Sequence, residues 1–174
     1  MKKILFYLLF ILFLNANNVY FMPFEGKNAQ KELCNIFTHA KKNIKIAMYT
    51  FTNKKIAKAL KIAAKHGAKI YIIGDLEESK YKYSVIPNLA AIKKFNIYLL
   101  SGKNYKNGNK AKMHVKMSII DNKYLIIGSA NYSYSAFFKN YEYILITQDK
   151  NLINKFNKYF YMLKQNAKPY RLSR

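Results

Sequence analysis

His114 and Lys116 place an imidazole and an ammonium two residues apart in the segment MHVKMSIIDNKYLIIGSAN, residues 113–131. An imidazole can attack phosphorus and form a phosphohistidine, which divides one difficult displacement into two. An ammonium offers a point charge to a phosphoryl oxygen. Side chains two apart on a strand leave the same face of a sheet. A two-residue hairpin at Asn122 and Lys123, the commonest link between such strands, pairs Asp121 with Tyr124, Lys116 with Ser129 and His114 with Asn131. Imidazole, ammonium, hydroxyl and amide then meet on one face, whereas a loop one residue longer reverses the faces. Glu142 opens the next strand and is the candidate to fix the imidazole tautomer, the alternative being a surface salt bridge with a lysine. Asp121 lies at the turn, where aspartate is favoured for local hydrogen bonds. Holding the hairpin is therefore its plainer role, set beside support of the phosphate site.

The elements that must carry these groups alternate along the chain. A strand at 19–22 stops at Pro23, a helix spans 29–42, and IKIAMYTF (44–51) reads as a strand rich in buried types. A helix at 54–66 ends at Gly67 as its C-cap and leads to a strand at 68–73. Strand, helix and strand in about 30 residues form a right-handed crossover into a parallel sheet. A helix at 88–94 and a strand at 97–100 continue the alternation. Strands at 113–120, 124–128 and 142–147 and a helix at 149–164 complete it. The fold class is α/β, a mixed sheet flanked by helices.

Composition narrows the chemistry. With 174 residues and 51% hydrophobic content, the chain is long enough for one domain with a substantial core. Its 31 Lys and Arg against 8 Asp and Glu give a formal charge of +23, which draws nucleic acid, anionic phospholipid or acidic glycan. Eight acids make a carboxylate-rich two-metal site improbable. His39, His66 and His114 lack zinc spacing, and the single Cys34 excludes an internal disulfide. His39 and His66 sit near helix ends, where a cation complements the dipole. Gly128-Ser129-Ala130-Asn131 is not the elbow of a serine hydrolase. No metal or other cofactor is implied.

At the N-terminus, Lys2 and Lys3 precede eleven apolar residues, 4–14, and Ala16 offers a cleavage position. That is the pattern of a signal peptide over 1–16, with the domain proper at 17–174. An uncleaved segment would leave a membrane tether, though eleven residues fall short of the roughly 20 that span a bilayer. The expected location is the periplasm or cell envelope, or outside the cell.

The series His114-x-Lys116, Asp121, Gly128-Ser129-x-Asn131 fixes six residues over 18 positions and resembles the signature of the phospholipase D superfamily. The stretches IKIAMYTFTNKKIAKALKIAAKHGAKIYIIGD and NYEYILIT extend the resemblance to its single-domain bacterial endonucleases. Relatives with lipid substrates usually carry two signatures in one chain; this chain carries one. The resemblance implies a metal-independent phosphodiesterase completed as a homodimer. His114 of one subunit attacks phosphorus, and that of the other protonates the leaving oxygen and later activates water. It assigns Lys116 and Asn131 to the phosphoryl oxygens, Ser129 to their support and Glu142 to orienting His114.

Substrate choice is read from loops 76–87 and 101–112. In the first, Tyr81 and Lys82 are adjacent; in the second, SGKNYKNGNKAK, Tyr105 is set among Lys103, Lys106, Lys110 and Lys112. Lysines neutralise phosphates and rings stack exposed bases, so DNA, single-stranded DNA or RNA is the expected partner, with little sequence specificity. The same neighbours arise in a chain rich in lysine and tyrosine. Two other readings stand beside the nuclease: a hydrolase of anionic phospholipid such as cardiolipin, and a non-catalytic nucleic-acid-binding protein of the envelope.

Overall fold

A computed structural model describes residues 17–171. The signal segment expected at 1–16 lies outside the described residues. Eight strands form one mixed sheet: β1 (Asn18–Met22), β2 (Asn43–Met48), β3 (Lys69–Asp75), β4 (Phe95–Leu100), β5 (Lys116–Ile120), β6 (Tyr124–Gly128), β7 (Glu142–Thr147) and β8 (Lys168–Pro169). Their order is β1-β7-β6-β5-β2-β3-β4-β8. β2, β3 and β4 run parallel, and the remaining pairs are antiparallel. Helices α1 (Gly26–Thr38) and α2 (Lys54–Lys65) cover one face, and α5 (Lys150–Asn166) covers the other. Short helices α3 (Ile86–Ala90) and α4 (Tyr134–Phe138) add Ile86, Leu89, Ala136 and Phe137 to the core on the α1 and α2 face. The expected mixed sheet flanked by helices is the observed architecture.

The central position of β2 follows from its sequence. Ile44, Ile46, Ala47 and Met48 are all buried, as a strand covered on both faces requires. The face bearing Ile44, Ile46 and Met48 packs with Leu33, Phe37, Ile56 and Leu60 of α1 and α2. The opposite face puts Ala47 with Ile153 and Phe160 of α5. Asn53 starts α2 by accepting from the backbone of Lys55 and Ile56, and Gly67 at φ 103 leaves it.

The hairpin departs from the expected two-residue turn. Ile120 pairs with Tyr124 and Met117 with Ile127, so the loop holds three residues, 121–123, and the register moves by one. Asp121 and Asn122 both take left-handed backbone, at φ 53 and 51. These residue types tolerate that region, and the Asp121 carboxylate holds it in place from outside the hairpin. Its oxygens accept from the backbone N–H of Lys41 at 2.7 Å and of Lys42 and Asn43 at 2.8 Å. Asp121 therefore clamps the α1–β2 connection. The expected strand at 113–120 also begins later, at Lys116, because the chain before it is held by the Asp75 carboxylate at Met113 and by a single backbone bond at Val115 instead of a ladder.

Candidate active site

The carboxyl end of β2 organises the site. Beyond Met48 the chain bends, and Tyr49 N donates to Val115 O at 3.0 Å, which fixes the approach to β5. Buried Asp75, at the end of β3, accepts from Met113 N at 2.9 Å and from the backbone N–H of Glu77 and Glu78. His114 is thus gripped on both sides, by a carboxylate at 113 and by β2 at 115. Its ring packs against Tyr49 with centroids 4.6 Å apart and planes inclined at 56°. Lys112 and Lys116 approach the same Tyr49 ring, their Nζ atoms 5.3 and 5.2 Å from its centroid. Cations over an aromatic face are attracted by its quadrupole, which lets one ring gather two ammoniums beside an imidazole.

Lys116 Nζ lies 2.9 Å from His114 Nδ1 and donates to His114 O at 2.9 Å. An ammonium has only donors, so Nδ1 is the acceptor, and the neutral ring carries its proton on Nε2. Partial burial, then the charges of Lys116 and Lys112, push the His114 pKa below the ordinary 6.5. Burial also lowers Lys116, partly offset by Glu142. Lys112 is raised, chiefly by hydrogen bonding to Tyr49. The outcome at neutral pH is an uncharged imidazole between two ammoniums, a setting that an incoming anion relieves.

The shifted register rearranges the other expected partners. Continuing it by one residue sets Lys116 opposite Gly128, not Ser129, so the four groups do not share a face through the ladder. Ser129 turns to β7: its N donates to Tyr143 O and its Oγ accepts from Tyr143 N, both at 3.1 Å. Gly128 permits that approach, since a Cβ there would sit 2.1 Å from Tyr143 O. Asn131 returns to the site by another route, its Oδ1 accepting from Thr50 N at 3.2 Å, next to Tyr49. Thr50 Oγ1 in turn donates to Glu78 Oε2 at 2.8 Å. Glu142 lies two residues beyond Ile144, the partner of Gly128, at the same end of the sheet. It acts on His114 and Lys116 through charge and forms no hydrogen bond to either within this chain. The ring contact within this chain is made by Lys116, at Nδ1. Asp121 stands apart, at the far end of β5, with its oxygens committed to the backbone.

Of the loop residues, Lys112 joins the cluster, whereas Lys103, Tyr105, Lys106 and Lys110 stay exposed. Tyr81 and Tyr83 meet edge to face at 5.3 Å, and Lys82 Nζ stands 4.8 Å from the centroid of the Tyr83 ring. Tyr81 and Lys82 border a groove of about 1070 Å³ that begins at Thr50 and Asn131. His39 lies outside the site: its Nδ1 meets Asn35 O at 2.9 Å, while the backbone of His66 caps α2. Sequence reasoning missed Tyr49, Thr50 and Asp75. Their only local signal is position, just past the ends of two buried strands, where a parallel sheet commonly places a site.

Fold and site together define a domain of the phospholipase D type, with a histidine–lysine pair at the sheet end suited to phosphodiester chemistry. The chain belongs to that family: residues 33–164 match the model described as cardiolipin synthase, PLD-like domain. NucT from Helicobacter pylori superimposes with a TM-score of 0.86 at 35% identity, over 90% of this chain and 99% of that one. Nuc from Salmonella typhimurium, a phospholipase D family member, gives 0.75 at 24% identity over 91% and 99%. The mitochondrial cardiolipin hydrolase of Danio rerio is 23% identical over 130 residues, 75% of this chain and 54% of that protein. The chain spans about half the length of the curated relatives it matches.

Proposed function

We propose that the protein is a metal-independent, sequence-tolerant nuclease, exported to the cell envelope and completed as a homodimer. The observation that carries this reading is the groove leading from Asn131 and Thr50. Lys54, Lys55, Lys58 and Lys61 of α2 line it, and Tyr81, Tyr83, Tyr134 and Phe138 supply rings. Lysines along a groove neutralise successive phosphates while aromatic faces stack unpaired bases, a combination suited to a single strand.

The chemistry follows from the contacts of His114. A substrate phosphoryl oxygen competes for Lys116 Nζ, which frees the nitrogen lone pair that the ammonium now occupies. The imidazole nitrogen bonds to phosphorus, the P–O bond to the leaving group breaks, and the partner subunit's His114 gives that oxygen a proton. The partner's ring, now neutral, takes a proton from water as the water attacks phosphorus and the P–N bond breaks. Lys116, Lys112 and the Asn131 amide supply the electrostatic stabilisation.

Labelled oligonucleotide and cardiolipin vesicles, each presented to the full chain with excess chelator, test substrate and mechanism together. Oligonucleotide cleavage that persists with chelator and is abolished by His114→Ala is the expected result. Turnover of vesicles alone would transfer the site to phospholipid, and activity restored only by a divalent cation would remove the histidine mechanism. Wild-type and His114→Ala chains refolded together test the shared site. An equal mixture should keep about one quarter of full activity, where independent subunits would keep half.

A further inference from the structure

At the end of the sheet opposite His114, a cavity of about 490 Å³ opens between the first residues of β2 and β3 and the C-terminal half of α5. Lys42, Lys45, Lys69 and Lys164 line it, and among the described residues no carboxylate does. Lys45 is only 7% exposed. A buried ammonium ordinarily requires an opposite charge, yet Lys45 has an amide and a ring. Its Nζ donates to Asn157 Oδ1 at 2.6 Å and stands 4.9 Å from the centroid of Tyr161. Lys164 is held in the same manner, its Nζ 5.6 and 5.1 Å from the centroids of Tyr71 and Tyr98. Amides and ring faces steady an ammonium without cancelling its charge. Asn43 also lines the cavity.

We infer that this cavity binds a phosphate group, either inorganic phosphate or the terminal phosphate of a nucleotide or strand. The lysines take the phosphoryl oxygens. An internal phosphodiester carries a single charge, where a terminal phosphate carries close to two at neutral pH, so it fits the cavity less well. The cavity is separate from the reaction centre, because Lys42 and Asn43 precede or open β2 while Tyr49 follows its other end. The strand-end source rests on the nuclease reading, since cleavage of a phosphodiester creates a terminal phosphate; the free-phosphate source does not.

Titrating the full chain with inorganic phosphate while following the side-chain amide resonances of Asn157 and Asn122 tests the inference. Saturable shifts should persist in Lys116→Ala and weaken about tenfold in the double variant Lys69→Gln/Lys164→Gln. Lys45→Met, which keeps an apolar stem under α5, should weaken them similarly. Absence of saturation, or shifts that vanish with Lys116→Ala and survive in the double variant, would overturn the site. The source is resolved in the His114→Ala background with one oligonucleotide carrying either a terminal phosphate or a terminal hydroxyl. A tenfold preference for the phosphorylated end that the double variant abolishes assigns strand ends. Equal affinity, with the phosphate shifts intact, assigns free phosphate and supports the cavity equally. Phosphate binding is read without turnover, so a chain that cleaves no nucleic acid leaves this result standing.

Discussion

Lys116 opens the five-residue strand β5 and Asp121 follows its other end, and their surroundings differ in kind. Asp121 spends its carboxylate on three backbone N–H groups of a neighbouring connection. At the other end Lys116 and His114 satisfy each other, two ammoniums share one tyrosine ring, and no carboxylate hydrogen-bonds the imidazole. A satisfied network holds structure in place, whereas a cluster of like charge stores an affinity for something absent. Residues that stand together in one linear signature thus serve two purposes at two places.

The sharpest way to break this comparison is to remove one member from each end. Lys116→Ala should lower turnover by about 10²–10³-fold, roughly 3–4 kcal/mol of transition-state stabilisation, with the denaturation midpoint unchanged. Asp121→Ala should do the reverse. Loss of its acceptors should cost about 1–3 kcal/mol in urea unfolding, with turnover per folded molecule kept within about twofold. If Asp121→Ala folds normally and fails to turn over, the two ends are not distinct.

A smaller effect sharpens the electrostatic half. One His114 ring must be neutral to attack and the partner subunit's His114 protonated to donate, so kcat/KM should pass through a maximum between an acid and an alkaline limb, both set by a pKa that burial and two lysines hold below 6.5. Lys112→Gln removes one of the charges that disfavour the imidazolium. The His114 pKa then rises, and the acid limb of the profile should move to higher pH. An unmoved limb would show that Lys112 does not act on the ring.

How much of this could be read beforehand depended on the range of the forces involved. β2 was legible because Ile44, Ile46, Ala47 and Met48 crowd buried types into five positions, and α2 because Gly67 marks its end by local chemistry. The hairpin register was not legible: the left-handed Asp121 is held by backbone groups 78 to 80 residues away. A pattern of period two cannot register that clamp. His114, Lys116 and Asn131 were recognisable as a spaced set, and the structure brings all three to one end of the sheet. Tyr49 escaped notice because it is one of 16 tyrosines and its importance comes from two lysines and a histidine over 60 positions on.

The direction of β1 has a consequence for geometry at a surface. Its first residue, Asn18, pairs with Ile146 and its last, Met22, with Glu142, so the chain enters the sheet at the end remote from the catalytic cluster. Asn17 bonds Thr147 at that same entrance. Four rises of about 3.3 Å from Asn18 to Met22 set roughly 13 Å between this entrance and Glu142. Any support that grips the chain ahead of Asn17 would therefore hold the protein by its rear, with His114 at the opposite end of the sheet.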